Sequence, residues 1–364
     1  MTVRAARDSL RITPDDLAID PKTVSDQIVE KLRALVGSSL RRRGAVVAVS
    51  GGIDSAVTAA LCARAFGAER TLALMMPEAD SADDTLALSQ LLTAALGIPS
   101  LVEEITPILQ ACGCYERRDN AVREVLPQFG DGWKFKIVLP TAVGRDIYRL
   151  FQLVAESPAG EVHDVRLPAA EYLTIVAATN FKQRARKMIE YFHADRLNYA
   201  VVGTPNRLEY DQGFFVKLGD GAADVKPIAH LYKSQVYRLA EYLDIPEAIR
   251  LRPSTTDTYT LPQSQEEFFF SLPYEEMDLC LYAHNLGASP DAVAESVGLS
   301  PLDVRRVFDD IDQKRRTTRY LHLAAQLVEP VPEVSVGIEE THRAAGPIGS
   351  DQTLSKADPP TNSP

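Results

Sequence analysis

The stretch of sequence that decides the fold is Val46-Val47-Ala48-Val49-Ser50-Gly51-Gly52-Ile53-Asp54-Ser55-Ala56-Val57. Its apolar first part is typical of a buried strand, and an apolar helical pattern begins directly after the two glycines. Adjacent glycines let the backbone turn sharply and approach a ligand closely. The backbone N–H groups of the turn and of the helix start then point towards one place, which suits an anion.

The side chains of this turn indicate which anion it binds. Ser50 and Ser55 add hydroxyl donors, and Asp54 places a carboxylate where phosphates would lie. A carboxylate beside phosphates makes sense mainly if a metal ion bridges them. The turn therefore predicts a site for pyrophosphate and Mg²⁺. The alternative is an ordinary glycine-rich connection between a strand and a helix, without a nucleotide.

The composition is that of an acidic protein. The 364 residues suffice for one large α/β domain or two smaller ones, and the net charge is −11. This charge argues against general nucleic-acid binding, which depends on basic groups that neutralise phosphates. No apolar stretch approaches the length of a membrane span, and the first 20 residues lack the apolar core of a signal peptide. We therefore expect a cytoplasmic protein with reduced cysteines and with no nucleic-acid or membrane partner.

Strands and helices alternate along the chain, which predicts an α/β fold with a doubly wound, Rossmann-like parallel sheet. A capping box formed by Ser81 and Asp84 is expected to begin one of the helices. Strands are expected at residues 45–49, 71–76, 100–105 and 198–202, and helices at residues 20–43, 55–66, 81–96, 179–193 and 233–243.

Changes in pattern predict the domain organisation. Residues 20–272 form the expected α/β domain, within which residues 106–171 are irregular and resemble an insertion. Three short helical patterns predict a helical C-terminal region at residues 273–328. Residues 329–364 are rich in proline and poor in large apolar side chains, which predicts a disordered tail.

The glycine turn resembles the PP-loop of the N-type ATP pyrophosphatases, which split ATP between its α- and β-phosphates. Five further motifs resemble those of the NAD synthases within that superfamily, and with the PP-loop they cover most of residues 45–274. They are residues 180–188 (Asn-Phe-Lys-Gln-Arg-Ala-Arg-Lys-Met), 202–209 (Val-Gly-Thr-Pro-Asn-Arg-Leu-Glu), 213–224 (Gly-Phe-Phe-Val-Lys-Leu-Gly-Asp-Gly-Ala-Ala-Asp), 231–236 (Leu-Tyr-Lys-Ser-Gln-Val) and 252–257 (Arg-Pro-Ser-Thr-Thr-Asp).

The resemblance implies a role for each matched residue. The phosphates of ATP would be held by Ser50, Gly51, Gly52, Ile53, Asp54 and Ser55. Further contacts to ATP would come from Thr204, Lys233 and Thr255. Mg²⁺ would be ligated by Asp54 and Glu209. The dinucleotide substrate would contact Arg184, Lys217, Asp224 and Lys314. The catalytic residues would be Asp54, Lys233 and Asp220.

Several of these residues also have an ordinary structural interpretation. The basic run at residues 182–187 is a solvated helix face in many proteins, and Glu209 could be a surface carboxylate. Asp220 and Asp224 could be turn residues beside glycines. Lys233 and Lys314 could be exposed lysines near helix ends.

The implied activity is that of an ammonia-dependent NAD synthase, a carbon–nitrogen ligase. ATP would convert the carboxylate of nicotinate adenine dinucleotide (deamido-NAD) into an acyl-adenylate, and ammonia would then displace AMP. Because only 44 residues precede the first strand, we expect no glutaminase domain on this chain. Ammonia would be free or come from a separate glutaminase partner. The resemblance also implies a homodimer.

Three other functions remain open from the sequence. Pro205, Leu208 and Val216 depart from the family motifs near the expected dinucleotide end, which leaves a related amide ligase with a different carboxylate substrate. Residues 289–319 have the pattern of a helix–turn–helix, so DNA binding is a second alternative. A nucleotide-binding regulator without activity is the third, although the retained Asp54, Glu209 and Lys233 argue against it.

Overall fold

The computed structural model describes residues 11–82, 84–138, 151–255 and 258–331. The chain up to His322 forms one compact unit, and a second unit begins at Leu323. Most of the tail that was predicted to be disordered, residues 332–364, lies outside the described residues.

The core of the fold is a parallel sheet of four strands. These are β1 (Ala45–Ala48), β2 (Thr71–Met75), β3 (Ser100–Val102) and β7 (Ala200–Val202), in the spatial order β3-β2-β1-β7. All three pairings are parallel, and Ala45 lies between Thr71 and Ala200. The predicted parallel α/β sheet is therefore confirmed, with β1 and its glycine turn at the centre.

Helices cover both faces of this sheet, because alternate side chains of β1 enter different cores. Val47 packs with α1 (Pro21–Arg33), α2 (Ile53–Phe66) and α8 (Lys233–Tyr242). Val46 packs on the other face, with α4 (Thr106–Ala111), α5 (Cys114–Val125) and α6 (Ala169–Leu197). Because β1 is buried on both faces, its sequence is continuously apolar, as is typical of a central parallel strand.

Two predicted helix starts are wrong. Helix α2 begins at Ile53 rather than Ser55, with Gly52 as its N-cap. The capping box of Ser81 and Asp84 does not form: Ser81 Oγ accepts from the N–H of Glu78 at 3.0 Å, and α3 (Thr85–Leu96) begins later. The Asp84 carboxylate instead binds Arg252 at 2.8 Å.

The described parts of the stretch that was predicted to be irregular, residues 106–138 and 151–171, are largely regular. They contain α4 and α5, and an antiparallel sheet of β4 (Lys134–Val138), β5 (Gln152–Glu156) and β6 (Val162–Arg166) in the order β4-β5-β6. The strands are short, and β6 alternates between exposed and half-buried side chains, so its apolar pattern is weak. Helix α6 then extends well beyond the predicted residues 179–193 at both ends.

The remaining helices lie in the second half of the unit. Residues 203–226, which follow β7, contain the short helix α7 (Arg207–Gln212). The three predicted C-terminal helices are present and share a core with Leu208 of α7. The helices that follow α8 are α9 (Glu247–Arg250), α10 (Tyr274–Asn285), α11 (Asp291–Ala294) and α12 (Pro301–His322).

The fold predicts a large cost for Leu61→Ala. The Leu61 side chain is 0% exposed within α2, so its loss leaves a cavity and should lower the free energy of unfolding by about 2–5 kcal/mol. Leu91→Ala is the control, because Leu91 is 43% exposed and should cost below about 1 kcal/mol. Urea denaturation of both variants checks this expectation, and equal losses would contradict it.

Candidate active site

The glycine turn forms one wall of a cavity of about 450 Å³ at the carboxyl ends of the parallel strands. Gly51 has φ +70°, and a Cβ there would lie 3.0 Å from the carbonyl oxygen of Thr85. A side chain at this position would therefore strain the backbone and crowd the start of α3. Gly52 is the N-cap of α2, and no side chain caps the helix there. The N-terminal turn of α2 borders the cavity.

The two serines of the turn brace it from inside. Ser55 Oγ donates to the carbonyl of Gly52 at 2.9 Å and accepts from the N–H of Ser50 at 3.2 Å. Ser50, Gly52, Ile53, Asp54 and Ser55 all line the cavity. The strand, turn and helix therefore have the geometry that the sequence predicted for an anion site.

Asp54 and Lys233 form a buried ion pair in this cavity. Lys233 is the first residue of α8 and is only 2% exposed. Burial alone would lower the pKa of Lys233, but the charges of Asp54 and Glu209 outweigh it, and the pKa is raised. Lys233 is therefore a buried cation, and its interpretation as an exposed lysine is wrong.

A neighbouring helix fixes the position of Lys233. Asp278 of α10 accepts from the N–H groups of Lys233 and Ser234 at 3.2 and 2.8 Å. These N–H groups belong to the first turn of α8, and N–H groups in the first turn of a helix have no hydrogen-bond acceptor within the helix. Burial raises the pKa of Asp278 to about 6.

Glu209 lies in the same cavity, on α7, and its interpretation as a surface carboxylate is also wrong. It forms a capping box with Asn206, in which Glu209 Oε2 accepts from the N–H of Asn206 at 3.2 Å. The side-chain amide of Asn206 donates to Asp54 at 3.1 Å. Gln265 Nε2 donates to Glu209 Oε1 at 3.0 Å. Burial first, and then the charge of Asp54, raise the pKa of Glu209 to about 8.

The donors at this place suit a divalent cation that also contacts phosphates. Mg²⁺ is usually held by one or two carboxylates together with substrate phosphates. Asp54 and Glu209 supply two carboxylates, and the ammonium group of Lys233 interacts with both. Among the described residues, no group of three or more metal-ligating side chains occurs, so phosphate oxygens would complete the coordination.

The remaining predicted residues fall into two groups. Thr204, Thr255 and Asp220 line the cavity. Asp220 is buried, which raises its pKa, and it accepts from the N–H of Val216 at 2.7 Å. The four predicted substrate residues do not line this cavity: Arg184, Lys217, Asp224 and Lys314.

Those four side chains have structural partners in the present conformation. Arg184 Nε donates to the carbonyl of Lys217 at 3.4 Å, and Asp224 accepts from the N–H of Val201 at 2.8 Å. Lys314 Nζ lies 2.7 Å from Asp310. Their substrate contacts therefore remain predictions. Thr256 and Asp257, the end of the last quoted motif, lie outside the described residues.

The sequence did not identify a cluster of buried charges beside the cavity. Lys182 is 2% exposed, and its Nζ lies 3.0 Å from Glu78 and 2.7 Å from Asp80. Arg118 of α5 pairs with the same Asp80. A solvated helix face is therefore the wrong interpretation for Lys182. Glu78 and Asp80 follow β2 directly, and this position at a strand's carboxyl end was the available signal.

Two further residues at the cavity were also missed. Arg252 contacts the carbonyl of Ser50 at 3.4 Å and Thr85 Oγ1 at 3.1 Å, so it ties the glycine turn to α3. Gln265 holds Glu209, as described above. Arg252 stood within a quoted motif, whereas no pattern in the sequence singled out Gln265.

The sequence of this chain is similar to that of known proteins over most of its length. The sequence profile of the NAD synthase family matches residues 24–125 and 159–320. The NH(3)-dependent NAD(+) synthetase of Rhizobium meliloti (strain 1021) is 56% identical over 334 residues, which are 92% of this chain and all of the relative. The enzyme of that name from Thermotoga maritima is 38% identical over 241 residues, 66% of this chain and 79% of the relative.

Solved structures share the fold at lower sequence identity. The NH3-dependent NAD synthetase of Campylobacter jejuni is 22% identical with a TM-score of 0.56, and the NMN synthetase of Francisella tularensis is 23% identical with a TM-score of 0.58. Each alignment covers 86% of this chain and all of the other. From the profile match and the sequence relatives together, we conclude that the chain belongs to the NAD synthase family.

Proposed function

We propose that this protein is an ammonia-dependent NAD synthase, which uses ATP to convert deamido-NAD and ammonia into NAD, AMP and pyrophosphate. The observation that carries the proposal is the group of Asp54, Lys233 and Glu209 in the cavity beside the glycine turn. The relative from Rhizobium meliloti, which aligns over its whole length, supports it. It also favours this function over a related ligase with a different carboxylate substrate.

The first step requires stabilisation of negative charge. The substrate carboxylate attacks the α-phosphorus of ATP, a P–O bond to the β-phosphate breaks, and pyrophosphate leaves as the acyl-adenylate forms. Ser50, Ser55 and the N–H groups at the start of α2 would bind the departing phosphates. Lys233 would neutralise charge that develops in this step, because a buried ammonium acts more strongly than one in water. Thr204 and Thr255 would contact the rest of ATP.

Asp54 and Glu209 would hold Mg²⁺ together with the phosphates. The ion would supply charge neutralisation at the leaving pyrophosphate. The two carboxylates would fix the ion relative to the turn. Lys233, which lies beside Asp54 on the cavity wall, would contact a phosphate oxygen.

The second step needs little acid–base chemistry. Ammonia attacks the acyl carbon, the bond to AMP breaks, and one proton is released. Asp220 is a buried carboxylate on the cavity wall whose pKa is raised by burial. We infer that it orients ammonia by accepting its N–H, and that it takes up the released proton. Arg184, Lys217, Asp224 and Lys314 would contact the dinucleotide.

The cytoplasmic setting is inferred from the composition of the chain, and the homodimer from the family resemblance. A cytoplasmic homodimer, with ammonia either free or supplied by a separate glutaminase, remains the expectation. Within the described part of the chain, no helix is long and apolar enough to cross a membrane.

The first prediction is the reaction itself. Purified protein with ATP, Mg²⁺, ammonium and deamido-NAD should form NAD and AMP in equal amounts, as followed by chromatography. Asp54→Asn keeps the volume of the side chain but removes its charge, and should lower the rate by about 100-fold or more. Asp26→Asn, at an exposed ion pair on α1, is the control. Absence of NAD with the unmodified protein would refute the proposal.

The second prediction concerns the pH dependence of stability without metal or nucleotide. The pKa of Glu209 is about 8 in the folded protein, against 4.5 as the ordinary value. The folded state therefore keeps this proton over a range in which the unfolded state loses it, so the wild type loses stability as pH rises through that range. Glu209→Gln cannot titrate, so its Tm relative to the wild type should increase over the same range.

Differential scanning fluorimetry at a series of pH values checks this expectation. Saturating Mg²⁺ and ATP should reduce the difference between the two proteins, because a bound cation favours the ionised carboxylate. A Tm difference that is constant across the series would contradict the assignment of a buried, protonated Glu209.

A further inference from the structure

The sheet of β4, β5 and β6 lies partly outside the ranges that match the NAD synthase family. The match leaves out residues 126–158, which include all of β4 and β5. In the order β4-β5-β6, strand β4 is an edge strand. Edge strands present N–H and C=O groups that need partners outside their sheet. The partners of β4 come from a segment beside the candidate active site.

Hydrogen bonds join β4 to this segment at Phe135 and at Ile137. The N–H of Phe135 donates to Thr260 Oγ1 at 2.7 Å, and the N–H of Leu261 donates to the carbonyl of Phe135 at 3.0 Å. Gln263 Nε2 donates to the carbonyl of Ile137 at 2.7 Å. Gln263 is 2% exposed. Because water does not reach the buried amide, this bond supplies its donor with a partner.

Side chains strengthen the same contact. The ring of Phe135 lies 5.3 Å from that of Tyr259, which in turn lies 5.7 Å from Phe268. Lys136 of β4 forms an ion pair with Glu267 at 2.6 Å. The segment at residues 258–270 is therefore held by β4 along most of its length.

The other side of this segment borders the cavity. Gln265, Phe268 and Phe269 line it, and Gln265 Nε2 donates to Glu209 Oε1 at 3.0 Å. The second oxygen of Glu209 accepts from the N–H of Asn206 at 3.2 Å. Gln265 and Asn206 thus hold one carboxylate oxygen each, and loss of either donor would let the carboxylate rotate.

We propose that the β4–β6 sheet fixes residues 258–270 beside the cavity, so that Gln265 of this segment orients the carboxylate of Glu209. Gln263 and Gln265 are then positioning residues that act through Glu209. The catalytic meaning of that orientation rests on the proposed function, whereas the mechanical connection from β4 to Glu209 does not.

The connection is tested by amide hydrogen exchange of the full-length protein without ligands. Gln263→Leu removes the bond to Ile137, and Thr260→Val removes the acceptor for Phe135 at a second place. Each should speed exchange in residues 258–270 by about fivefold, the effect of losing one hydrogen bond. Val162→Thr is the control, because Val162 lies on β6, away from the β4 edge, and is 65% exposed; it should leave exchange unchanged.

The orientation of Glu209 is tested with Gln265→Met, which keeps the length of the side chain and removes its donor. This variant should lower kcat by about tenfold with little change in KM for deamido-NAD. It should also raise the Mg²⁺ concentration at which ATP binding, measured by calorimetry, is half-maximal. A merely structural residue would lower Tm without moving this concentration.

The double variant Gln263→Leu/Gln265→Met decides whether the two residues act in sequence. If Gln263 acts through Gln265, the double variant should lose no more kcat than Gln265→Met alone. Multiplying losses, or unchanged exchange in Gln263→Leu and Thr260→Val, would overturn the proposal. If the unmodified protein makes no NAD, the proposed function fails, while the exchange and Mg²⁺ measurements still test the inference.

Discussion

Two carboxylates and one ammonium group share the cavity at the carboxyl ends of the parallel strands, and the arrangement of the active site follows from that constraint. Desolvation of each charge is costly, so such groups persist only where partners compensate them closely. Lys233 pairs with Asp54, whereas burial and the charge of Asp54 outweigh the attraction of Lys233 at Glu209 and raise the pKa of its carboxyl. The group is therefore short of positive charge, and a divalent cation with phosphates attached would complete it.

The fold supplies these charges from separate elements that meet at one edge of the sheet. Asp54 enters on the first turn of α2, directly after the central strand β1. Lys233 is the first residue of α8, and its backbone N–H donates to Asp278 of α10. Helix α10 belongs to the core of the C-terminal helices. Asp278 thus connects the core of the C-terminal helices to the residue that carries the positive charge. Movement of α10 against α8 would therefore be transmitted to Lys233.

Local chemistry explains what the sequence could predict. The turn at Gly51 and Gly52 is visible because a buried strand, two glycines and a helix follow each other within twelve residues, and the structure confirms all three. Asp54 and Glu209 were paired only through the resemblance to a family. The two residues are 155 positions apart, and no spacing rule connects them. The burial of Lys182 was missed for the same reason, since Glu78 and Asp80 are distant in sequence.

The β4–β6 sheet shows a different limit. Its strands are only five residues long and β6 has no buried side chain, so periodicity did not reveal the sheet, and Gln265 stands in no motif. Yet backbone groups of β4 at its free edge form hydrogen bonds with residues 260–263. The same segment contacts Glu209 through Gln265. An edge strand must be paired, covered or charged, and here the pairing partner is a wall of the cavity. A sheet that lies partly outside the family match is thereby connected to a residue inside it, through Gln263 and Gln265.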